Sequence, residues 1–141
     1  SNYRVSELKE KKFYPFLSEE EAISFLGYYS DLIKEIEKNF NVRIKITKDG
    51  LRFFSSENIP EELDQFITDL FNIKRDKNIL LSKEELKKSI NSIKDKSYNI
   101  TREYFVDIIF VSSKGKRIKP KSENQRKYVE LIRKKDLVFC I

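Results

Sequence analysis

The fold is indicated most clearly by residues 25–55, which read FLGYYSDLIKEIEKNFNVRIKITKDGLRFFS. Apolar side chains recur at every fourth position across 32–40, which predicts a helix with one apolar stripe. Apolar and basic residues then alternate across 42–46, as they do in a half-buried strand. The Asp-Gly pair within 48–50 predicts a tight hairpin, since glycine supplies the positive φ that such turns need. Residues 51–55 form the expected return strand.

The flanking sequence extends this pattern in both directions. Residues 12–17 predict a short strand, and Ser18 with Glu21 forms a capping-box pattern at the start of a helix that stops at Gly27. Beyond the hairpin, a third helix is expected after Pro60. Its apolar stripe consists of Leu63, Phe66, Ile67, Leu70 and Phe71. The expected order is therefore strand, helix, Gly-x-x-Ser turn, helix, strand, hairpin, strand, helix.

This order resembles a KH-type domain, a small α+β module that often binds single-stranded nucleic acid. In KH-type domains a Gly-x-x-Gly loop between two helices clamps the sugar-phosphate backbone, because glycine permits close approach and a helix N-terminus attracts phosphate. The loop here runs from Gly27 to Ser30, with Ser30 in place of the second glycine. The resemblance implies a nucleic-acid surface that consists of Gly27, Tyr28, Tyr29, Lys34, Arg43 and Lys45.

Two structural alternatives apply to the same turn. Gly27 can be the C-cap of one helix, with Ser30 or Asp31 as the N-cap of the next. One or both of Tyr28 and Tyr29 can pack into the core, whereas the nucleic-acid hypothesis expects both rings to be exposed for stacking on bases.

A helical connector is expected after the third helix. Ser82 and Glu85 form a second capping box, and Leu81 with Leu86 matches a hydrophobic staple. The connector helix has its apolar face at Leu86, Ile90 and Ile93.

The last thirty residues differ in charge from the rest of the chain. The whole chain has a net charge of +6, and residues 112–141 contain ten basic and three acidic residues, so its basic character lies in this segment. A concentrated positive segment attracts phosphate-bearing ligands, although a solvated lysine-rich surface is the alternative. Residues 137–141 are continuously apolar, as expected for a strand that is buried on both faces of a parallel sheet.

Residues 118–141 read IKPKSENQRKYVELIRKKDLVFCI and resemble the stretch of PhoH-like proteins that precedes the Walker A loop. In that family a Pro-Lys-(Ser/Thr)-x-x-Gln element begins a helix, a buried strand follows, and a loop ending in Gly-Lys-Thr comes next. The residues that carry the likeness are Pro120, Lys121, Ser122, Gln125, Tyr128, Val129, Ile132, Arg133 and Asp136. The family consists of cytoplasmic ATPases that are related to superfamily-one helicases and linked to phosphate starvation and RNA metabolism.

The resemblance also implies nucleotide-binding residues for the complete protein. Gln125 matches the glutamine that reads adenine in helicase-like ATPases, where its amide offers both a donor and an acceptor. Lys119, Lys121 and Tyr128 are expected along the same nucleotide. The structural alternative is a capping box between Ser122 and Gln125. The 141 residues contain no Gly-x-x-x-x-Gly-Lys-(Ser/Thr), so ATP and Mg²⁺ belong to the complete protein and neither is expected to bind this chain tightly.

The composition limits the other function classes. The chain has no histidine and one cysteine, which excludes a histidine-based triad and leaves no expected metal site or disulfide. No apolar run is long enough to cross a membrane, so a cytoplasmic protein without a membrane partner is expected. The chain itself is predicted not to be an enzyme.

The expected fold class is α+β: a KH-like domain, a helical connector, and the first elements of an α/β P-loop ATPase core. The corresponding spans are an N-terminal extension at 1–12, the KH-like domain at 13–76, the connector at 77–105 and the start of the core at 106–141. The expected function is that of the N-terminal portion of a PhoH-like ATP-binding protein. A free-standing KH-like RNA-binding module and a protein-interaction or oligomerisation domain are the alternatives. Expected partners are single-stranded RNA and a second copy paired through residues 137–141.

Overall fold

A computed structural model describes residues 7–105 of the chain. The chain divides into two compact units, with the division between Pro60 and Glu61. The described part of the first unit contains a three-stranded sheet and two helices, and that of the second contains three helices and a 3-10 turn. The α+β fold class is therefore confirmed. The predicted KH-like span of 13–76 includes part of both units, and the domain boundaries stay a prediction.

The first unit has the order of elements that the sequence predicts. Its elements are β1 (Lys9–Pro15), α1 (Glu19–Leu26), α2 (Ser30–Asn39), β2 (Arg43–Ile46) and β3 (Gly50–Ser55). The strands form an antiparallel sheet in the order β1-β3-β2, so the return strand of the hairpin lies in the middle and β2 lies at an edge.

The sheet has one apolar and one polar face, as the period-2 alternation predicts. Leu51 and Phe53 of β3 are fully buried, and Tyr14 of β1 packs edge-on against Phe53 with ring centroids 5.2 Å apart. On the opposite face Lys45 pairs in register with Arg52. The guanidinium of Arg52 lies 4.2 Å from the centroid of the Phe13 ring on β1, and it donates to the Glu10 carboxylate at 3.1 Å in an exposed salt bridge.

The hairpin between β2 and β3 is confirmed, but the reason given for its glycine is wrong. Thr47 and Gly50 exchange two backbone hydrogen bonds, of 2.9 and 3.3 Å, around a two-residue loop. Among the described residues, the non-glycine positions with positive φ are Asn78 and Lys96, and Gly50 has no positive φ either. Glycine is needed because β1 passes very close: a Cβ at position 50 would lie 2.2 Å from the Tyr14 carbonyl oxygen.

Helix α1 begins with the predicted cap, in a slightly shifted form. The Ser18 hydroxyl accepts a hydrogen bond from the Glu21 N–H at 3.4 Å. The Glu21 carboxylate accepts from the N–H of Leu17 at 2.8 Å, one residue before the position that a standard capping box uses. Two backbone donors at the helix start are satisfied in this way. The helix ends at Gly27, as predicted.

The second unit is helical over its described part. Its elements are α3 (Glu61–Lys77), α4 (Lys83–Lys94), α5 (Tyr98–Arg102) and the 3-10 turn Glu103–Phe105. The predicted stripe of α3 is buried throughout, and so is the predicted face of α4. The hydroxyl of Ser82 caps α4 by accepting from the Glu85 N–H at 3.2 Å, which confirms that helix start.

A buried carboxylate links α3 to α5, and the sequence pattern did not predict it. Asp69 is 1% exposed and accepts hydrogen bonds from the Tyr98 hydroxyl at 2.8 Å and from the Arg102 Nε at 2.7 Å. The Gln65 amide donates to the other carboxylate oxygen at 3.0 Å. Burial and the neighbouring Asp69 raise the pKa of the Tyr98 phenol above its usual range, and the hydrogen bond to Asp69 raises the pKa of Arg102. Both partners therefore stay protonated and can donate to the carboxylate.

Replacement of Asp69 by alanine is expected to destabilise the protein strongly. The change leaves a buried phenol and a guanidinium without their acceptor, and removal of one partner from a buried pair costs about 3–5 kcal/mol. The lower end, about 3 kcal/mol, is expected because Arg102 still reaches solvent. Urea denaturation of the full chain measures the change.

Asp76 provides the matched control, because it lies on the same helix and is exposed. Asp76→Ala makes the same change in charge and is expected to alter the free energy of unfolding by less than about 0.5 kcal/mol. Equal effects of the two substitutions would contradict a structural role for the buried carboxylate.

Candidate nucleic-acid interface

The turn between α1 and α2 is closed by its own backbone hydrogen bonds. The N–H of Gly27 donates to Ile23 at 2.8 Å, that of Tyr29 to Ser24 at 2.7 Å, and that of Ser30 to Gly27 at 3.1 Å. A phosphate clamped at this turn would have to displace these bonds. Gly27 is the C-cap of α1, as the structural alternative states. The suggested N-caps Ser30 and Asp31 are wrong, because Tyr29 occupies the cap position and its side chain makes no capping bond.

The expected exposure of Tyr28 and Tyr29 is also wrong. Tyr28 is 5% exposed and Tyr29 is 2% exposed, so the alternative that both pack into the core is confirmed. Their ring centroids lie 5.2 Å apart, and Tyr29 lies 5.1 Å from Phe25 of α1. Burial raises the pKa of Tyr28 to about 12. An aromatic ring buries about 150–250 Å² of surface, a gain that favours the core at a site where nearby side chains are also aromatic.

The structure gathers basic side chains at the other end of α2. Lys34, Lys38 and Arg43 line one cavity of about 390 Å³, which we call the basic cavity. Its remaining lining residues are Leu8, Glu37, Phe40, Asn41 and Val42. Two predicted binding residues, Lys34 and Arg43, are therefore brought together. Lys38 was missed, although its four-residue spacing from Lys34 places both lysines on one helix face.

Lys45 lies elsewhere on the sheet. It is exposed on β2, two residues beyond Arg43 and on the same face, where it pairs in register with Arg52. It is not among the residues that line the basic cavity. The predicted basic surface thus continues from the cavity onto the outer face of the sheet.

One acidic side chain holds the wall of the basic cavity in place. The Glu37 carboxylate of α2 accepts a hydrogen bond from the backbone N–H of Ile44 at 3.0 Å. Ile44 belongs to the edge strand β2, where alternate N–H groups point away from the sheet. The bond satisfies one such edge donor and joins the helix to the strand on either side of the cavity.

The cavity has the charge that a phosphate group requires. All three basic side chains belong to exposed residues, while Glu37 is half-buried and engaged with Ile44. Cations around a concave surface attract phosphate, and the attraction weakens as salt screens it. Such an arrangement can position a sugar-phosphate backbone without any covalent chemistry.

Several predicted features lie outside the described residues. These are the adenine-side residues Lys119, Lys121, Gln125 and Tyr128, and the apolar run 137–141. Within 7–105, no group of three or more Asp, Glu, Cys or His side chains is placed to hold a metal ion. No helix in the same range is both long and apolar enough to span a membrane.

Comparison with known proteins gives one informative similarity. The chain is similar to a PhoH-like protein. That relative, from Bacillus subtilis (strain 168), is 28% identical over 123 residues. The aligned region covers 86% of this chain and 38% of the relative, so the chain spans well under half of the relative's length. No protein-family model and no solved structure matches the chain. The similarity supports the PhoH-like resemblance at the level of the family, while the KH-like region and the position of the Walker A loop stay predictions.

Replacement of Glu37 tests whether its carboxylate holds β2. Glu37→Ala removes the acceptor of the Ile44 N–H, and one such hydrogen bond contributes about 0.5–1.5 kcal/mol. Amide hydrogen exchange at Ile44, measured by NMR, is therefore expected to accelerate.

Glu37→Gln retains an oxygen that can accept the same bond, and it is expected to keep most of the protection at Ile44. If the amide of Ile44 exchanges faster than in the wild type, and equally fast in the Gln and Ala variants, the charge of Glu37 and not its hydrogen bond would hold the strand. Unchanged exchange in both variants would contradict the role of Glu37 altogether.

Proposed function

We propose that this chain is an RNA-binding portion of a PhoH-like ATPase. The family assignment is supported by the 28% identity to the Bacillus subtilis PhoH-like protein. It is also supported by the motif residues of 118–141. The RNA-binding role is carried by one observation, the three basic side chains around the basic cavity.

Single-stranded RNA suits this surface for two reasons. The element order of the first unit resembles the beginning of a KH-type domain, and its central strand is the return strand of the hairpin. The basic side chains come from a helix and an adjoining edge strand, so the flexible sugar-phosphate backbone of a single strand can lie along the basic cavity between them. Proteins that bind single strands commonly combine such a positive groove with nearby side chains that contact bases.

The ATP-binding role belongs to the complete protein in this proposal. Gln125 would contact the adenine edge, with Lys119, Lys121 and Tyr128 along the nucleotide. ATP bound with Mg²⁺ supplies phosphoryl-transfer chemistry in P-loop enzymes. The present chain lacks the phosphate-loop motif, so it is expected to bind RNA without ATP turnover. A role in RNA metabolism or in the response to phosphate starvation is proposed on the family resemblance alone.

A protein-interaction function is the second candidate, and exposed apolar side chains on and before α1 favour it. Leu17 is 72% exposed, Ile23 is 51% exposed and Leu26 is 64% exposed. Ile23 and Leu26 lie three residues apart on the helix, so they share one face. If the protein bound no RNA, this surface would become the leading site.

The RNA-binding proposal predicts a specific loss of salt-sensitive affinity. The full chain is titrated into a fluorescently labelled single-stranded RNA, and anisotropy is followed at several salt concentrations. The variant replaces Lys34, Lys38 and Arg43 by alanine. Each phosphate contact contributes about 0.7 to the slope of log affinity against log salt for single strands, so the slope is expected to fall by about 2.

The matched control replaces Lys87, Lys88 and Lys94, which are exposed on α4, and thus removes the same charge from another surface. It is expected to retain most of the wild-type slope. Equal losses in both variants would mean that net charge alone governs binding. A further variant at Lys116, Lys119 and Lys121 addresses the basic C-terminal segment. If it alone abolishes binding, the basic cavity is not the RNA site.

A further inference from the structure

A second cavity adjoins the basic cavity within the first unit. It has a volume of about 200 Å³, and its polar lining comes from Asn39, Asn41, Ser55, Glu57 and Asn58. We call it the asparagine cavity. It shares Phe40, Asn41 and Val42 with the basic cavity. The two cavities therefore lie side by side around the segment that leads from α2 into β2.

One hydroxyl fixes the backbone around the asparagine cavity. The Ser55 Oγ donates to the Asn41 carbonyl oxygen at 2.8 Å and accepts from the Glu57 N–H at 3.2 Å. Ser55 is 1% exposed, so this link is sheltered from water. The segment before β2 and the segment after β3 are thereby held at a fixed separation, and the cavity is formed before any ligand arrives.

The asparagines that line this cavity have side-chain donors or acceptors that are not used by hydrogen bonds among the described residues. The Asn39 amide nitrogen donates to the Glu35 carbonyl at 2.8 Å and to the Glu35 carboxylate at 3.2 Å, which leaves the amide oxygen as an acceptor. Within the described residues, the side-chain amides of Asn41 and Asn58 make no hydrogen bond, and both residues are exposed. Each of these amides presents one acceptor and two donors on adjacent atoms.

The chemistry of these groups matches the edge of an adenine base. An asparagine amide forms a bidentate pair with adenine, in which its oxygen accepts from the N6 amine and its nitrogen donates to N7. The Glu57 carboxylate is an acceptor only, so it favours an amine and disfavours a carbonyl at the same position. A cavity of about 200 Å³ is smaller than the 300–1,000 Å³ of a typical small-molecule site, and it suits one base better than a larger ligand.

We propose that the asparagine cavity binds one adenine of a single-stranded RNA through its N6 and N7 edge, with Asn41 and Asn58 as the specificity-determining residues. The proposal rests on the proposed RNA-binding function. The basic cavity holds the phosphates, and the shared residues Phe40, Asn41 and Val42 bring a neighbouring base to the asparagines. Phosphate contacts position the strand, and base contacts specify its sequence.

The test compares three short RNAs that differ in one base. A uridine oligomer is compared with the same oligomer carrying one central adenine, and with one carrying 7-deazaadenine, which lacks the N7 acceptor. Anisotropy titrations use the full chain at one salt concentration. The adenine oligomer is expected to bind at least about 5-fold more tightly than the uridine oligomer, and 7-deazaadenine is expected to remove most of that gain.

The variants assign the effect to named side chains. Asn41→Ala and Asn58→Ala, singly and together, are expected to abolish the preference for adenine. Because Asn41 also lines the basic cavity, the affinity for the uridine oligomer is compared in Asn58→Ala alone, where it is expected to change by less than about 2-fold. Asn91→Ala, at an exposed position on α4, is the matched control and is expected to retain the preference. Circular dichroism checks that each variant is folded, and either single variant suffices if the double variant is not.

The outcomes separate this proposal from the function on which it rests. If all three oligomers bind equally well and the binding is salt-sensitive, the asparagine cavity does not read adenine, although the RNA-binding function stands. A preference that survives 7-deazaadenine or the Asn41→Ala and Asn58→Ala changes also overturns the proposal. If no oligomer binds, the RNA-binding function is itself wrong.

Discussion

The hydrogen bond from the Ile44 N–H to the Glu37 carboxylate is the interaction on which the candidate site depends. It joins α2 to the edge strand β2, and the basic cavity lies between these two elements. It also occupies a backbone donor that an edge strand would otherwise offer to another chain. The same carboxylate places one negative charge among three cations. A ligand that carries several phosphates is therefore favoured over a single anion, because it gains from all the cations at once.

In the proposed function, the two adjoining cavities bind phosphates and a base, respectively, along one segment of chain. Residues before the segment, on α2, supply Lys34 and Lys38, and the first residue of β2 supplies Arg43. The asparagines that line the second cavity flank the same segment and the end of β3. Under this proposal, the residues that position the phosphates and those that select the base come from neighbouring parts of one small unit.

The sequence predicted the elements well, because local patterns determine them. Helix caps at Ser18 and Ser82, the buried stripe of α3 and the β2–β3 hairpin all depend on residues close together in the chain. The predictions were wrong where the structure depends on contacts between residues that are not read from one local pattern. Tyr28 and Tyr29 follow a glycine turn that resembles a binding loop, but their burial depends on neighbouring aromatic rings.

Other features needed three-dimensional information for the same reason. The strict need for glycine at position 50 comes from β1, some 35 residues earlier in the chain, where the Tyr14 carbonyl lies. The acceptor role of Asp69 depends on residues 29 and 33 positions away. Lys38 was within reach of pattern analysis through its spacing from Lys34, whereas the asparagine cavity joins residues from both sides of a strand pair and has no local pattern.

The most direct measurement of the central claim is an NMR titration of the isotope-labelled full chain with a short single-stranded RNA. The account predicts that amide resonances of 34–44 shift progressively with added RNA, together with those of 55–58, while those of α4 stay in place. Shifts confined to 106–141, or shifts centred on the exposed apolar face of α1, would contradict the assignment of the basic cavity as the RNA-binding site.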